Sequence, residues 1–249
     1  KVWHLPEWND TDDNARISVL REISERSGVD PRFATLAINI CKEAGVQPRD
    51  YKGQARSILK WVQETIYYIN EPAERLQDPI YTLKVGYGDC DDMAILLATL
   101  YESIRLEWRY VLSGKVNGKL DRWIEGTPIK KGGTWSHIYL LVGYPPFKPH
   151  KWVFAEPTLR GVELGWDIIQ SMNQGENVLP EMGSVNESGI LVINDKRKEK
   201  REKRKKILAR WREKLDPETL VSDVMIIAIT SVLTTIAISK IKQAVNLRK

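Results

Sequence analysis

Cysteine is scarce in this sequence, which has two, Cys41 and Cys90, in 249 residues. A framework of disulfides, which small secreted domains use in place of a large core, is therefore excluded. Residues 1–30 contain no basic stretch followed by an apolar run, so we expect no signal peptide. The sequence also lacks internal repeats, a phosphate-binding glycine loop, a dinucleotide fingerprint and a zinc-finger pattern. These absences argue against repeat proteins and nucleotide-binding folds.

Apolar side chains, in contrast, are plentiful. They make up 42% of the residues, and nine Trp and nine Tyr are among them. This is enough to bury a sizeable core, and it excludes a fully disordered or fibrous chain.

Charge is divided unevenly along the chain, whose net charge is +5. Residues from position 196 onward include 16 basic and six acidic side chains, a net charge of +10, whereas residues 1–195 have a net charge of −5. The asymmetry predicts a mildly acidic globular domain over residues 1–195, followed by a basic appendage.

The spacing of apolar residues predicts helices first and strands afterwards. Helical periodicity is found over residues 12–27, 31–43 and 50–69 and from Cys90 onward. Residues 73–88 are predicted to be a loop with one extended piece. Runs rich in β-branched and aromatic residues predict antiparallel strands at residues 108–112, 138–142, 152–155 and 190–193. A helical half followed by a strand half is typical of an α+β fold.

Three short segments contain residue types that suit thiol chemistry. They are GDCDD at residues 88–92, WSH at residues 135–137 and WVFAEPT at residues 152–158. A thiol that attacks a carbonyl needs a base to take its proton and a third group to orient that base. A Cys in the first turn of a helix has its thiolate favoured by the unpaired N–H groups there. A His and a carboxylate on neighbouring strands can line up behind such a thiol.

The order and local sequences of these segments resemble those of the transglutaminase-like cysteine hydrolases, whose core is papain-like. The resemblance covers roughly residues 50–165, and residues 77–92 are most similar to transglutaminase-like proteins of tailed bacteriophages. Carried over position by position, it implies that Cys90 is the nucleophile, His137 the base and Glu156 the orienting group, where the family usually has Asp.

The resemblance also implies a fold, an activity and a setting. The fold would be an α+β, papain-like and transglutaminase-like core with a C-terminal helical extension. The activity would be hydrolysis or acyl transfer at an amide of a peptide or a peptidoglycan cross-link. The protein would be a component of a tailed-phage virion, made in the bacterial cytoplasm, with other virion proteins as partners.

Three points are open at the level of the sequence. The side-chain donor to an oxyanion could be Gln77, Tyr81 or Tyr87, of which we favour Tyr87. A zinc ion held by Cys90, His137 and Glu156 is chemically sound. No paired CxxC or HxxxH supports it, so we expect no metal and no cofactor. The alternative function is a catalytically silent structural virion protein, which the longer Glu at position 156 favours.

The appendage has a basic part and an apolar part. Residues 196–206, which begin at Lys196 and end at Lys206, include nine basic and two acidic residues. They predict a solvated basic helical linker at residues 196–215, suited to nonspecific contact with DNA or an anionic membrane.

Residues 216–249 predict an apolar C-terminal helix, because residues 224–239 contain no charge. As a helix this stretch spans about 24 Å, short of the roughly 30 Å hydrocarbon core. We therefore expect it to form a homo-oligomer or to pack on a partner rather than to span a membrane permanently.

Overall fold

The computed structural model of the chain describes residues 2–4, 13–70, 75–175, 184–185, 191–192, 206–207, 209–210 and 213. The chain divides into two units, residues 1–208 and residues 209–249, and only Ala209, Arg210 and Glu213 of the second are described. The predicted C-terminal helix and most of the predicted basic linker therefore lie outside the described residues. Among the described helices, none has both the length and the apolar character needed to cross a membrane.

The helices of the first unit precede most of its strands in the chain. They are α1 (Asp13–Gly28), α2 (Pro31–Glu43), α3 (Tyr51–Thr65), α4 (Pro79–Val85), α5 (Cys90–Ser103) and α6 (Ile168–Asn173). The predicted helices at α1, α2 and α5 are confirmed. Helix α3 ends four residues earlier than predicted, because the backbone of Ile66 becomes extended and the next two residues form a strand.

Helix α4 lies where a loop was predicted, so that prediction was wrong. The local signals for the helix are present: Asp78 accepts a hydrogen bond from the N–H of Ile80 at 2.9 Å, and Pro79 occupies the first turn. Gly86 ends the helix in the left-handed conformation, with φ of 79°. The helix is too short, at seven residues, for apolar periodicity to reveal it.

Ten strands form a central sheet and three small ladders within the described residues. The small ladders pair β1 (Val2–His4) with β3 (Arg75–Gln77), β2 (Tyr67–Tyr68) with β4 (Tyr87–Gly88), and β9 (Ser184–Val185) with β10 (Leu191–Val192). The central sheet is antiparallel, with the order β6 (Lys119–Ile124), β5 (Glu107–Val116), β7 (Gly133–Tyr144) and β8 (Lys151–Ala155).

The α+β class and the antiparallel sheet are confirmed, with two changes in strand membership. Strand β6 was not predicted, and it pairs with β5 across the turn at Asn117 and Gly118. The predicted strand at residues 190–193 has a described part, β10, which pairs with β9 instead of joining the central sheet.

A register shift between Ser113 and Gly114 interrupts the pairing of β5 with β7. His137 lies opposite Ser113 at this irregularity. A Cβ atom on Gly114 would collide with the carbonyl oxygen of Thr134, so glycine permits the close approach of the two strands. Irregularities of this kind commonly redirect a side chain beside a functional site.

Helix α5 forms the centre of the core. It packs against α1, α2 and α3 and against strands β5 and β7. All its residues from Asp91 to Tyr101 are buried, and the hydroxyl of Tyr101 donates to the carbonyl of Ala55 at 3.0 Å. The sequence predicted one apolar face for this helix. The observed helix is buried all round because it lies between other helices and the sheet.

Candidate active site

Cys90 is the first residue of α5, as predicted, and a capping box holds the start of the helix. The Asp89 carboxylate accepts hydrogen bonds from the N–H groups of Asp91 and Asp92, at 3.0 and 3.2 Å. In return, the Asp92 carboxylate accepts from the N–H of Asp89 at 3.3 Å. These bonds fix the turn from which the Cys90 thiol projects.

The residues before Cys90 are held just as firmly. The other carboxylate oxygen of Asp92 accepts from the backbone N–H of Gln77 at 2.7 Å, which ties β3 to α5. A Cβ atom on Gly88 would lie 2.6 Å from Cβ of Asp92, so a larger residue there would displace the carboxylate. Glycine at position 88 thus allows the loop to pass close to the helix that follows it.

His137 and Glu156 meet across two neighbouring strands. His137 lies in β7 and Glu156 directly follows β8, and Nε2 of His137 is 2.7 Å from Oε2 of Glu156. The imidazole also stacks on the ring of Tyr139, with 5.8 Å between the ring centroids. With Nε2 facing the carboxylate, Nδ1 is the ring nitrogen that is available to exchange a proton with another group.

The Glu156 carboxylate, which is 1% exposed, is held on both oxygens. Its Oε1 accepts from the backbone N–H and the hydroxyl of Thr158, at 2.8 and 2.7 Å. The carbonyl of Glu156 accepts from the side-chain amide of Gln63 in α3, at 2.8 Å. Helix α3 thereby anchors the backbone of the residue that orients His137.

A cleft of about 190 Å³ contains both Cys90 and His137. The Cys90 thiol donates to a carboxylate oxygen of Asp91 over 3.9 Å, and Ile138, the residue after His137, also lines the cleft. Asp91 and Arg16 form another wall of the cleft, and Nη2 of Arg16 donates to Asp91 at 2.6 Å. The structure thus brings together the three residues predicted as the catalytic set: Cys90 and His137 in one cleft, and Glu156 behind His137.

The Cys90 environment favours the neutral thiol. Burial raises the pKa of the thiol well above its ordinary value, and the Asp91 and Asp89 carboxylates raise this pKa further. The Ile138 N–H and the Arg16 guanidinium act in the opposite direction with smaller effect. At neutral pH the sulfur therefore needs a base to remove its proton.

His137 has the opposite balance. Burial lowers the pKa of the imidazole, but the charge and the hydrogen bond of Glu156, with a further contribution from Asp91, raise this pKa above its usual value. A more basic imidazole is better able to accept the thiol proton.

The carboxylates near Cys90 have structural roles. Asp89 and Asp92 cap α5, and Asp91 pairs with Arg16. Within the described residues, no group of three or more His, Cys, Asp or Glu side chains is arranged to hold a metal ion.

The three candidate oxyanion donors named from the sequence lie in different places. Gln77 is buried, and its side chain accepts from the hydroxyl of Thr82 at 3.3 Å. Tyr81 is in α4 and Tyr87 is in β4, where Tyr87 pairs with Tyr67. None of the three is among the described residues that line the cleft.

Sequence reasoning gave no role to four residues that shape the site: Arg16, Gln63, Tyr68 and Thr158, of which only Thr158 lies in one of the three segments. Gln63 had a signal, because it is four residues after Leu59 and three before Ile66, on the apolar face of α3. Tyr68 was assigned to a helix, although it lies in β2 and lines the cleft. Arg16 gives no local signal, since its partner is 75 residues away.

A second recess, of about 260 Å³, shares Tyr68, Ser136 and His137 with the cleft. Its remaining walls are mostly apolar and include Leu120, Leu159, Ile168, Ile169 and Met172. The site therefore has a polar side at Cys90 and an apolar side beyond His137.

Two solved structures resemble this chain. A candidate cysteine protease from Cytophaga hutchinsonii is 18% identical, with a TM-score of 0.32, over 60% of this chain and 43% of that one. A candidate protease from Parabacteroides distasonis is 12% identical, with a TM-score of 0.37, over 61% of this chain and 30% of that one. This chain thus spans less than half the length of either. Among curated proteins, none matches this chain.

The sequence model of the transglutaminase-like superfamily matches residues 47–157. This range contains Cys90, His137 and Glu156. The match accounts for α3, α5 and the central sheet, which are the elements that bring these residues together. Residues 47–157 are therefore similar in sequence to the transglutaminase-like superfamily.

Proposed function

We propose that this protein is a thiol-dependent amide hydrolase or acyl transferase in which Cys90 is the nucleophile, His137 the general base and Glu156 the residue that positions His137. The observation that supports it most directly is the hydrogen bond between His137 and Glu156 beside a cleft that also contains the Cys90 thiol. A buried carboxylate on one ring nitrogen sets the tautomer of the imidazole and directs the other nitrogen to the reacting group.

The proposed reaction proceeds through an acyl-enzyme. His137 Nδ1 takes the proton of the Cys90 thiol while the sulfur bonds to the carbonyl carbon, and the carbonyl electron pair moves to oxygen. When the carbonyl re-forms, the carbon–nitrogen bond breaks and the departing amine takes the proton from His137. Water or a second amine then attacks the thioester carbon while His137 takes its proton. The carbon–sulfur bond breaks, the acyl group is released, and the Cys90 sulfur takes the proton back from His137.

The apolar recess suggests where the acyl side of a substrate would lie. It shares His137 and Ser136 with the cleft, so a chain whose carbonyl is at Cys90 can place an apolar group between Leu159 and Ile169. Burying such a group stabilises the bound substrate by about 25 cal/mol per Å² of apolar surface.

Selective alkylation of the full chain tests the proposed nucleophile and base. With iodoacetamide as the probe, Cys90 should be alkylated about tenfold faster than Cys41, because His137 can take the proton of the Cys90 thiol, whereas Cys41 is 8% exposed and its sulfur accepts a hydrogen bond from Ser57. Substitution His137→Ala should remove this difference. Peptide mapping by mass spectrometry measures both rates in one sample.

Cys41 serves as the internal control for unfolding, because a variant that merely opens the core alkylates both thiols faster. Equal rates at Cys90 and Cys41 in the wild-type chain, or an unchanged ratio in the His137→Ala variant, would contradict the proposal.

We further propose that the enzyme belongs to a tailed-phage virion, is made in the bacterial cytoplasm and acts on a peptide or peptidoglycan cross-link. Its partners would be other virion proteins and further copies of this chain joined through residues 216–249. The supporting observations are the sequence similarity of residues 77–92 to phage proteins and the net charge of +10 from position 196 onward, which favours contact with DNA or an anionic membrane.

The alternative, a catalytically silent structural protein, was favoured by Glu in place of Asp at position 156. The contact of 2.7 Å from this longer side chain to His137 weakens that argument.

A further inference from the structure

A short parallel ladder places Tyr68 beside the loop that leads to Cys90. In the pairing of β2 with β4, Tyr68 lies opposite Gly88, two residues before the nucleophile. The N–H of Ile69 donates to the carbonyl of Gly88 at 3.0 Å and holds this register. Because the loop from Gly88 to Cys90 is also held by the capping box of α5, the positions of Tyr68 and Cys90 are coupled.

The two tyrosines of β2 face in opposite directions, as neighbours in a strand do. Tyr68 is half-buried and lines both the cleft and the apolar recess. Tyr67 is 5% exposed and lies under the guanidinium of Arg160, 4.7 Å from its ring centroid. The phenol that borders Cys90 and His137 is therefore that of Tyr68.

The reaction proposed above needs hydrogen-bond donors where the oxyanion forms. The backbone N–H of Cys90 is one, since the first N–H groups of a helix have no partner inside it. A second donor is usual in sites of this kind, and it must point into the space next to the sulfur.

Most other donors that line the cleft are poorly suited to this role. The Arg16 guanidinium is bound to Asp91 at 2.6 Å, and Asn70 and Ser136 are exposed. The indole N–H of Trp135, in contrast, is buried without a hydrogen-bond partner, so it is a competing donor that needs a test of its own.

We propose that Tyr68 is a catalytic residue, whose phenolic O–H donates a hydrogen bond to the oxyanion formed when the Cys90 sulfur adds to a carbonyl. This inference rests on the proposed function. As the carbon–sulfur bond forms, the carbonyl electron pair moves to oxygen and the phenol proton stays on Tyr68. When the carbonyl re-forms, the leaving group departs and the hydrogen bond weakens.

The charge state of the phenol agrees with this role. Burial raises the pKa of Tyr68 to about 12, and the neighbouring Cys90 and Asp89 contribute to this rise. Tyr68 therefore keeps its proton at neutral pH and acts as a donor.

Two probes on the full chain separate oxyanion binding from thiol activation. p-Nitrophenyl acetate acylates the sulfur through an oxyanion, whereas iodoacetamide alkylates it by displacement at a saturated carbon without one. In Tyr68→Phe, the burst of p-nitrophenolate should slow by about 100-fold. Alkylation of Cys90 should stay within about twofold of the wild-type rate, because the thiol and its base are intact.

Tyr67→Phe is the matched control, since it removes the neighbouring hydroxyl on the opposite face of the same strand, and it should leave both rates unchanged. Trp135→Phe tests the competing donor.

The inference is overturned if the burst in Tyr68→Phe is unchanged, if both rates fall together, or if Trp135→Phe alone slows acylation. Absence of acylation at Cys90 in the wild-type chain overturns the proposed function together with this inference, whereas a normal wild-type burst that Tyr68→Phe leaves intact overturns this inference alone.

Discussion

At the scale of single residues, the Glu at position 156 shows how one added methylene is accommodated. A Glu side chain is one methylene longer than an Asp side chain. With the backbone in the position that suits Asp, the Glu carboxylate would come too close to the imidazole. Here the amide of Gln63 holds the carbonyl of Glu156, and Thr158 holds the carboxylate oxygen that does not face His137. These bonds keep the other oxygen 2.7 Å from Nε2, so the pairing with His137 is made by a buried and immobilised carboxylate.

The same bonds predict how His137 titrates. Its pKa should lie above the usual histidine value, and Glu156→Gln should lower it, because burial then opposes the imidazolium and only the smaller contribution of Asp91 remains to favour it. The chain has three His, so NMR titration of the ring protons measures this directly.

The pH dependence of activity should shift in the same direction as the pKa of His137. The base form of His137 is lost as the pH falls through its raised pKa, so the acidic limb of the pH–rate profile should move to lower pH in Glu156→Gln. The maximal rate should also fall, on the order of 10³-fold, because the tautomer is no longer set. An unchanged His137 titration in this variant would contradict the assigned role of Glu156.

At the scale of elements, the cleft is built where helix α1 meets the first turn of α5. Arg16 of α1 is bound to Asp91 of α5 at 2.6 Å, and their side chains are 23% and 5% exposed. Asp91 raises the pKa of the Cys90 thiol and Arg16 lowers this pKa. The ion pair therefore both joins the two helices and partly cancels the charge that Asp91 places beside the sulfur.

Substitution Arg16→Met should lower the free energy of unfolding by about 1–3 kcal/mol, because it leaves the buried carboxylate of Asp91 without its ionic partner. The double variant Arg16→Met with Asp91→Asn should recover part of this loss. Urea unfolding measures both. The midpoint of the pH dependence of Cys90 alkylation by iodoacetamide should move to higher pH in Arg16→Met and to lower pH in Asp91→Asn.

The matched control is Arg21→Met, which removes another arginine of α1, one that is bound to Glu125. It should cost stability without changing the pH dependence of Cys90 alkylation. Strictly additive losses of stability in the double variant would show that Arg16 and Asp91 do not act as a pair.

At the scale of the whole molecule, charge divides the chain into an acidic region and a basic region. The first 195 residues have a net charge of −5 and include the core around α5, whereas the rest has a net charge of +10. A stretch with nine basic residues in eleven, at residues 196–206, has too few apolar side chains to build a core. We expect a boundary there between the enzyme domain and an assembly segment.

Limited trypsin digestion should cut within residues 196–206 and release a core of about residues 1–195 that keeps the selective reactivity of Cys90. Light scattering should find this core monomeric and the full chain oligomeric, because an uncharged stretch such as residues 224–239 favours association when it is helical. A full chain that stays monomeric, or a basic run that trypsin leaves intact, would contradict this organisation. Binding of the full chain to liposomes without partners would favour membrane contact instead.

The sequence by itself determined the parts of this protein that depend on local interactions. Helix α5 and the position of Cys90 at its start could be predicted, because capping residues and apolar spacing act over a few positions. The candidate set of Cys90, His137 and Glu156 could also be assembled, because each residue lies in a short segment with recognisable neighbours. Helix α4 and strand β6 were missed, because both are too short for apolar periodicity to reveal them. Capping residues stabilise α4, and pairing with β5 stabilises β6.

Tertiary structure decided which distant side chains complete the site. Gln63 reaches Glu156 across 93 residues, and Arg16 reaches Asp91 across 75. Tyr68 lines the cleft because the backbone leaves α3 and pairs with β4, a change from helix to strand that helical spacing over residues 50–69 concealed. Such contacts depend on how whole helices and strands pack together. The free energy of that packing comes from burial and pairing between segments far apart in the chain, so a local sequence pattern does not predict it.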